Sequence, residues 1–550
     1  MTLMENAVGR RQFVTGAAAL SALTALAGCG KKGDPSNGAV DGGTFRYYIG
    51  NPVSIDPYNC NESEGSQVCN QLFDALTTYN YETKEIEPLA CTSWESNEDA
   101  TEFTFHLIEG AKFHDGTPVT AADFKRGWER LVNPNINPEQ PSEIGYHLAM
   151  VEGYKDDGTT TELTGVTCPD DLTLKVKLRY SYGDFPFVVT HIALAPVPAC
   201  AEDDFMTYFL SPVGNGPFKM DGKWEDGQYI SVVRNDDYYG EPAKLAGINF
   251  MILKDVETAY REFEAGNLDY TDIPQAQILA ANEAYGVSDD GYNISEGKHV
   301  LHGAQPSVYY LVCNNVEGPF ADPELRKAVS LCINREAICD TLFHGTRIPA
   351  DNFVTPGVLG YEEGVWEYSK YDPEQAKKIL DDAGYTADAN GSRGLNLTLS
   401  YNNGAGHGEL MTSVIGDLNA IGINAVADTP EWAALIEQYG SGAFEFGRMG
   451  WTADYPIIDN FLFPMFHTGN GDNRSGYSRP DLDAKMFEAR STADEAQRVA
   501  LWKEINREIA ADCPVIPILF HCHNAVVGNN VKKFTLTPTK RAQLQEAELS

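Results

Sequence analysis

The middle of the chain alternates between segments with strand-like and helix-like patterns. Residues 395–401 are predicted to form a strand, 409–421 a helix, 423–427 a strand and 431–439 a helix. Strands that alternate with helices in this way favour the α/β class, in which helices cover the faces of a sheet. This alternation therefore restricts the chain to a layered α/β fold.

The length and composition of the chain are typical of a folded protein with several domains. A chain of 550 residues exceeds one ordinary hydrophobic core and predicts two or three domains. Hydrophobic residues make up 43% of the sequence, which argues against global disorder. The formal net charge of −38 excludes nucleic acid as an obvious partner, because phosphate binding requires clustered Lys and Arg.

The N-terminal segment has the pattern of an export signal. Twin arginines at 10 and 11 precede an apolar run over 17–27, which is too short to span a bilayer as a helix. The run ends at Leu26-Ala27-Gly28-Cys29, which resembles a bacterial lipoprotein box in which Cys29 becomes the lipidated first residue. The twin arginine is similar to a Tat signal, although Sec signals also carry basic residues here. We therefore expect a signal peptide over 1–28 and a polar tether over 29–42.

The cysteines that follow Cys29 do not reveal a pairing. An exported location permits disulfides, but the spacings contain no Cys-x-x-Cys, and buried free thiols are equally compatible with the sequence. Cys332 and Cys339 lie two turns apart on a predicted helix, which is too far for them to bridge each other.

Several motifs carry a resemblance to a known family. Residues 113–124 read Phe-His-Asp-Gly-Thr-Pro-Val-Thr-Ala-Ala-Asp-Phe and predict a turn, a cap at Thr120 and an amphipathic helix. Residues 211–219 contain Gly-Asn-Gly-Pro-Phe, and 322–336 combine a helix start at Asp-Pro-Glu with a buried apolar stripe. Five such segments follow one another in the expected order from Gly43 to the C-terminus. Together they resemble the extracellular solute-binding proteins of family 5, the oligopeptide-, dipeptide- and nickel-binding components of ABC importers.

This resemblance implies a specific version of the α/β fold. It is periplasmic-binding-protein-like, with two lobes, an interlobe cleft and an accessory third domain. The implied divisions are a first lobe over 43–59, 190–305 and 520–550, an accessory domain over 60–189, and a second lobe over 306–519. The chain then crosses between lobes near 304–307 and near 517–520, which predicts a hinge.

The stretch 448–455, Arg-Met-Gly-Trp-Thr-Ala-Asp-Tyr, contains the best candidate ligand groups. Arg448 offers a planar fork of donors suited to a carboxylate, and Asp454 offers acceptors suited to an ammonium group. A short peptide presents both groups at its ends. Taken locally, an Arg and an Asp near one Trp more often form a surface salt bridge.

The family resemblance assigns roles to these residues. It implies that Asp454 holds a peptide's α-ammonium and that Arg448 receives its carboxylate in some short-peptide complexes. Gly450, Trp451 and Thr452 would offer extended backbone to which a peptide adds as a strand. Two further contacts are expected outside this stretch, at Asn51 and His521.

The function implied is that of a substrate-binding lipoprotein that captures short peptides and delivers them to a membrane permease. Its expected partners are the permease and ATPase subunits of an ABC importer, and the membrane through Cys29. We expect a monomer on the outer face of the bacterial cell membrane, with no cofactor and no catalytic activity. No Gly-x-Ser-x-Gly or His-Glu-x-x-His motif supports a secreted hydrolase.

Other ligands of the same fold remain open at this point. A nickel chelate, haem, a glycoside or a signalling peptide would suit the same family, and a surface adhesin or chaperone is a further alternative. His521 and His523 are expected on one side of a strand and suggest a metal site, but no third ligand can be assigned. We therefore expect a peptide rather than nickel.

Overall fold

The computed structural model describes residues 42–60, 62–224, 229–404 and 406–550. The expected signal peptide and the lipidation site Cys29 lie outside these residues. The helices are α1 Ser63–Leu72, α2 Ala121–Val132, α3 Phe185–Val188, α4 Phe205–Leu210, α5 Val256–Glu264, α6 Ile278–Tyr285, α7 Pro323–Cys332, α8 Arg335–Phe343, α9 Pro373–Asp382, α10 His407–Ala420, α11 Trp432–Ser441, α12 Ile458–Phe466, α13 Pro480–Ser491 and α14 Glu495–Asp512.

The strands belong to three larger sheets and two short hairpin-like pairs. They are β1 Thr44–Ile49, β2 Thr77–Asn80, β3 Glu85–Pro88, β4 Cys91–Ser96, β5 Glu102–Leu107, β6 Val166–Asp170, β7 Thr173–Lys177, β8 Phe218–Met220, β9 Tyr229–Arg234, β10 Gly247–Ile252, β11 Tyr270–Asp272, β12 Val300–Leu301, β13 Ala304–Cys313, β14 Ile348–Pro349, β15 Asn396–Ser400, β16 Asn424–Asp428, β17 Phe446–Thr452, β18 Val515–Cys522, β19 Ala525–Val527, β20 Val531–Lys533 and β21 Glu548–Leu549.

The first sheet is assembled from distant parts of the chain. Its strand order is β12-β19-β11-β1-β10-β9-β8. The N-terminal strand β1 lies parallel to both β10 and β11, and β11 pairs antiparallel with β19 near the C-terminus. In β1 the side chains of Phe45, Tyr47 and Ile49 alternate into the core, as a strand with one buried face requires. A strand from the start of the described chain and one from near its end therefore belong to the same sheet.

The second sheet contains the alternating region of the sequence. Its strand order is β14-β18-β13-β17-β15-β16. β13 is antiparallel to both β17 and β18, whereas β15 is parallel to β16 and to β17. The succession β15, α10, β16, α11, β17 joins parallel strands through helices, as βαβ units do. The expected α/β fold is confirmed.

A third, antiparallel sheet with the order β4-β5-β7-β6 lies under α2. As expected, Thr120 precedes this helix and forms a capping box with Asp123. Trp128 on the helix is fully buried, and its indole Nε1 donates to the carbonyl of Leu194 at 2.8 Å. The motif at 113–124 thus supplies the start of α2 and contributes to the fold of the third-sheet region.

The region of the third sheet contacts both other sheet regions. On one side, Arg130 on α2 forms a bidentate, buried ion pair with Asp56 from the loop after β1, at 2.9 and 3.1 Å. On the other, Asp184 accepts a bond from Arg498 on α14 at 2.6 Å, and both side chains are buried. Tyr455, from the segment after β17, packs into the core of the third sheet. This region therefore bridges the other two.

Two short crossings connect the first and second sheets. β12 in the first sheet is followed by β13 in the second after only His302 and Gly303, and β18 is followed by β19 after only His523 and Asn524. The crossings lie side by side, because the His523 N–H donates to the Gly303 carbonyl at 2.9 Å. The crossings expected near 304–307 and 517–520 thus lie slightly outside those ranges.

One expected helix is wrong. The sequence pattern predicts a helix over 67–78, but α1 ends at Leu72, and 77–80 is the strand β2. The loop around Asn215 replaces the next helical turn: Gly216 N–H donates to the Leu72 carbonyl at 2.8 Å, and the Asn215 side chain accepts from Asp74 N–H at 2.9 Å. A contact between parts of the chain far apart in sequence therefore ends the helix. Across the described ranges no helix combines the length and apolarity needed to cross a bilayer.

Candidate functional site

The strand β17 separates core residues from candidate ligand contacts. Met449 and Trp451 pack against the hydrophobic cluster on one face of the second sheet. Because side chains alternate along a strand, Arg448, Gly450 and Thr452 point to the opposite face. The indole Nε1 of Trp451 donates to the carbonyl of Asn460 at 2.8 Å. The Trp451 side chain therefore packs in the core, and its backbone groups pair with β13 instead of facing a ligand.

The outer edge of β17 has unpaired backbone groups. Ala453 N–H donates to the Pro306 carbonyl at 2.9 Å, so the odd-numbered residues direct their backbone groups towards β13. Gly450 and Thr452 consequently direct theirs to the other side. Within the described residues, β15 covers that side only at Phe446 and Gly447. The strand thus presents an edge to which an extended chain can add.

The two glycines of β17 have different surroundings. A Cβ at Gly447 would meet the Tyr439 hydroxyl at 2.2 Å and the Ser400 carbonyl at 2.4 Å, so packing requires this glycine. A Cβ at Gly450 would meet only the Val308 carbonyl, at the ordinary contact distance of 3.7 Å. The packing of the core therefore does not require a glycine at position 450, and this residue borders open space.

Arg448 is a half-buried guanidinium that forms no ion pair within the described part of the chain. Its Nε and Nη2 both donate to the Asn402 side-chain oxygen, at 2.8 and 2.5 Å. The guanidinium lies 4.6 Å from the centre of the Trp432 ring, a cation–π geometry. Burial lowers the pKa of Arg448, because no carboxylate compensates for its desolvation. An anion would supply that compensation.

Two histidines, His407 and His521, lie near Arg448 at this end of the strand. The Tyr309 hydroxyl lies 3.2 Å from His407 Nδ1 at the start of α10, and its ring is 6.3 Å from that of His521. Burial lowers the pKa of His521 to about 4, and repulsion from Arg347, His407 and Arg448 adds to the effect. Both imidazoles are therefore neutral at pH 7 and can donate or accept hydrogen bonds beside the arginine.

Asp454 lies beyond the other end of β17. Its backbone N–H donates to the Asn460 side-chain oxygen at 3.0 Å, and the Tyr146 hydroxyl lies 3.5 Å from its carboxylate. The side chain reaches solvent, but the surrounding protein desolvates it and raises its pKa. No ion pair to Asp454 occurs in the ranges that the structure describes. This carboxylate is thus available to a ligand cation.

A cavity of about 140 Å³ opens beside Asp454. Its walls come from two regions: Tyr146, Tyr180 and other residues of the third-sheet region on one side, and the segment from Asp454 to Pro464 on the other. Tyr146 and Tyr180 remain nearly half exposed, so their rings are accessible.

The remaining predicted site residues are dispersed. The Thr452 hydroxyl pairs with that of Ser307 at 2.9 Å and lies at the exposed end of β17. His521 joins the basic cluster around Arg448. Asn51 lies exposed in the loop after β1, on the first sheet. The structure therefore groups His521 with the stretch 448–454 and places Asn51 on a different element.

The alternative metal site at His521 and His523 lacks the geometry on which it depended. β18 ends at Cys522, so strand alternation does not extend to His523. His523 is buried, with Nδ1 2.9 Å from the Gln305 amide and Nε2 2.8 Å from the Thr537 carbonyl. Both of its ring nitrogens are thus engaged. In the described ranges, no group of three or more His, Cys, Asp or Glu side chains could hold a metal ion.

Several residues of the site were not identified from the sequence. Asn402, Trp432 and His407 surround Arg448, and Tyr146 faces Asp454. The position of Asn402 could have identified it as a site residue, because it directly follows the predicted strand 395–401. Ligand-binding sites of parallel sheets lie at the carboxyl ends of the strands. Tyr146 comes from the third-sheet region, and no sequence pattern pointed to it.

Comparison with known proteins places the chain in a family. Residues 85–473 match the model of the bacterial extracellular solute-binding proteins, family 5. The chain is 27% identical to the dipeptide-binding protein DppE of Bacillus subtilis over 96% of both chains. It is 28% identical to the periplasmic oligopeptide-binding protein OppA of Salmonella typhimurium over 88% of both.

A solved structure agrees with these matches. The unliganded open form of the periplasmic murein tripeptide binding protein MppA superposes with a TM-score of 0.81 at 25% identity, covering 93% of this chain and 98% of its own. The family model spans well over half of the chain, so this protein belongs to the bacterial extracellular solute-binding proteins of family 5.

Proposed function

We propose that this protein is the substrate-binding component of an ABC importer and that it captures short peptides. The observation that carries the proposal is the arrangement along β17. Among the residues that the structure describes, a carboxylate without an ion pair lies beyond one end, a guanidinium without an ion pair lies near the other, and open backbone lies between them. A peptide has a cation at its N-terminus, an anion at its C-terminus and backbone amides between.

The carboxylate of Asp454 would bind the peptide's α-ammonium group. The surrounding protein partly desolvates this carboxylate and raises its pKa, and within the described residues no cation compensates for this. The Tyr146 hydroxyl and the Asn460 amide hold its surroundings in place. An ammonium group would restore the missing charge partner, and it is present on every peptide with a free N-terminus.

The open edge of β17 would pair with the peptide backbone. Gly450 and Thr452 offer N–H and carbonyl groups, which bind any peptide irrespective of its side chains. Arg448 and Asp454 lie six residues apart, so their Cα atoms are separated by at most about 20 Å. An extended ligand that reaches both therefore has roughly six residues or fewer.

The C-terminal carboxylate would bind at Arg448. The guanidinium is fixed by Asn402 and Trp432, so little side-chain freedom is lost when a ligand binds. Neutral His407 and His521 supply hydrogen-bonding groups beside it. Shorter peptides bound through Asp454 would not reach this end, so the contribution of Arg448 depends on ligand length.

The proposed ligand lies between lobes that close on it. We assign the three divisions expected from the sequence to the first-sheet region, the third-sheet region and the second-sheet region. The short crossings at 302–303 and 523–524 would serve as the hinge, because they are the points where the chain passes between the first and second sheets. The protein would return its ligand unaltered and perform no catalysis.

The proposed cellular setting follows from the N-terminal sequence and from the relatives. DppE is named for dipeptide binding, and OppA for oligopeptide binding in the periplasm. We propose that this chain is exported, is lipidated at Cys29 and acts as a monomer on the outer face of the membrane. There it would deliver peptides to the permease and ATPase subunits of its importer.

Native mass spectrometry of the freshly purified protein tests the ligand class. We expect peptides of roughly two to six residues to dissociate from the protein on gas-phase activation. A protein purified empty should take up such peptides from a mixture of random sequences. A metal-loaded protein, or one that takes up no peptide from the mixture, would contradict the proposal.

A further inference from the structure

Two buried cysteines are in contact at α1. Cys60 lies in the loop between β1 and α1, and Cys69 lies in the second half of that helix. Both side chains are fully buried free thiols, and the two thiols hydrogen-bond to each other. The Cys60 Sγ also lies 3.4 Å from the hydroxyl of Ser66, which is one helical turn before Cys69. The fold therefore brings the sulfur of the loop onto the face of the helix that carries the second sulfur.

Other buried thiols of the chain have a different kind of partner. They are Cys332, Cys513 and Cys522, whose sulfur atoms lie 3.2, 3.6 and 3.9 Å from the backbone carbonyl oxygens of nearby residues. A carbonyl satisfies a thiol donor and offers no redox chemistry. The partner of the Cys69 thiol is instead a second thiol, which is what a disulfide requires.

The backbone around the two cysteines is already held in place by hydrogen bonds. The Glu62 carboxylate accepts from the Val53 N–H and from the Gly65 N–H, both at 2.9 Å. These bonds join the loop after β1, which includes the exposed Asn51, to the first turn of α1. An S–S bond is about 2 Å long, so two thiols in contact can reach bonding distance by rotation of their side chains. A covalent bond at this point would fix the loop to the helix.

We propose that Cys60 and Cys69 form a disulfide bond when the chain folds under oxidising conditions. The thiolate of one cysteine attacks a disulfide-bearing oxidant, such as a thiol–disulfide oxidoreductase, and releases one thiol of that oxidant. The second cysteine then displaces the other thiol. The two cysteines lose two electrons and two protons, and the disulfide of the oxidant becomes two thiols. The proposal rests on the proposed function only for the exported setting, where disulfides persist.

Burial determines when this bond forms. Burial raises the pKa of the Cys69 thiol well above its usual range, and the neighbouring Cys60 adds to the effect. In the folded protein the Cys69 thiol is therefore protonated and a poor nucleophile, and neither sulfur is open to an oxidant. The bond consequently forms before α1 is packed, and in the folded protein it resists reduction.

Refolding of the full chain tests the pairing. The protein is unfolded, reduced and refolded with reduced and oxidised glutathione, and free thiols are then alkylated in denaturant. Trypsin cleaves after Arg46 and Lys84, so one peptide, 47–84, carries both cysteines. We expect most of this peptide to lack alkyl groups and to be lighter than its reduced form by two hydrogen atoms. Alkylation of both cysteines, or a bond from either one to another cysteine, would overturn the proposal.

Protein recovered from the outer face of the membrane separates this inference from the proposed setting. We expect the same unalkylated peptide from this material. A bond that forms on refolding but is missing from the cellular protein would support the pair and contradict the exported setting.

Variants measure what the bond contributes. Wild-type protein refolded with oxidised glutathione should unfold at least about 2 °C higher than the same protein refolded in reductant, because the cross-link restricts the unfolded chain. The double variant Cys60→Ala, Cys69→Ala should lose this difference. Cys332→Ala is the matched control, because Cys332 is also buried in a helix but bonds to the backbone, and it should retain the difference. A difference retained in the double variant, or lost equally in Cys332→Ala, would contradict the assignment.

Discussion

At the scale of single residues, the proposed recognition of peptides depends on two charged side chains that form no ion pair within the described residues. Asp454→Asn preserves the shape of the side chain and removes its charge, so a bound ammonium group would lack a counter-ion. We expect peptide affinity to fall by about 2–5 kcal/mol in titration calorimetry. The exposed Asp99→Asn serves as the control for loss of one negative charge. Unchanged affinity in Asp454→Asn would disprove its assigned role.

The same carboxylate predicts how binding depends on pH. Desolvation by the surrounding protein raises the pKa of Asp454 above the ordinary value for aspartate, which is about 3.9. As pH falls through this raised pKa, the carboxylate takes up a proton and loses its attraction for the ammonium group. Affinity should therefore decrease on acidification at a higher pH than an ordinary aspartate would cause. Dissociation constants measured from pH 8 to pH 3 should show this decrease in the wild type and not in Asp454→Asn.

Arg448 predicts a dependence on the C-terminus of the ligand. Arg448→Gln removes the charge and should weaken binding of a peptide that reaches this end by about 1.5–3 kcal/mol, the usual range for charge-assisted hydrogen bonds. The same peptide with an amidated C-terminus should bind the wild type and the variant about equally. A loss of equal size for the acid and the amide would show that Arg448 acts through folding instead.

At the scale of elements, the open edge of β17 predicts a separation of binding from stability. Gly450→Val adds a side chain to the ligand face, where its Cβ meets only the Val308 carbonyl at 3.7 Å. We expect peptide affinity to fall more than about tenfold while the midpoint of thermal unfolding stays within a few degrees. Gly447→Ala is the contrasting control and should lower the midpoint, because its Cβ would clash with Tyr439. Retained affinity in Gly450→Val would contradict strand addition.

The elements also explain which parts of the structure could be predicted. Arg448 and Asp454 could be proposed from the sequence because both lie on or near one strand, where spacing in sequence translates directly into spacing in space, and because the family resemblance assigns them roles. Tyr146 and His407 reach the site from other elements, so no local pattern identifies them. The helix expected over 67–78 failed for the same reason, since the distant loop around Asn215 ends it at Leu72.

At the scale of the whole molecule, buried ion pairs hold the third-sheet region to its neighbours. Arg498→Met should leave Asp184 buried without its partner and destabilise the protein by about 3–5 kcal/mol. Arg507 on the same helix pairs with Glu362 at an exposed position, so Arg507→Met should cost less than about 1 kcal/mol. Chemical denaturation measures both changes in the free energy of unfolding. Equal effects would show that the Asp184 pair has no special role.

The strand pairings of the first and second sheets determine when in folding each sheet can be completed. β1 begins at Thr44, yet its neighbour β11 is completed only by β19 at Ala525–Val527. Bringing these strands together closes a loop of hundreds of residues, and the entropy cost makes such long-range pairing slow. In the second sheet, β13 likewise pairs with β18 at Val515–Cys522, close to the same end of the chain. Neither sheet can therefore be completed until the C-terminal part of the chain is available, so both sheets close at the same late step of folding.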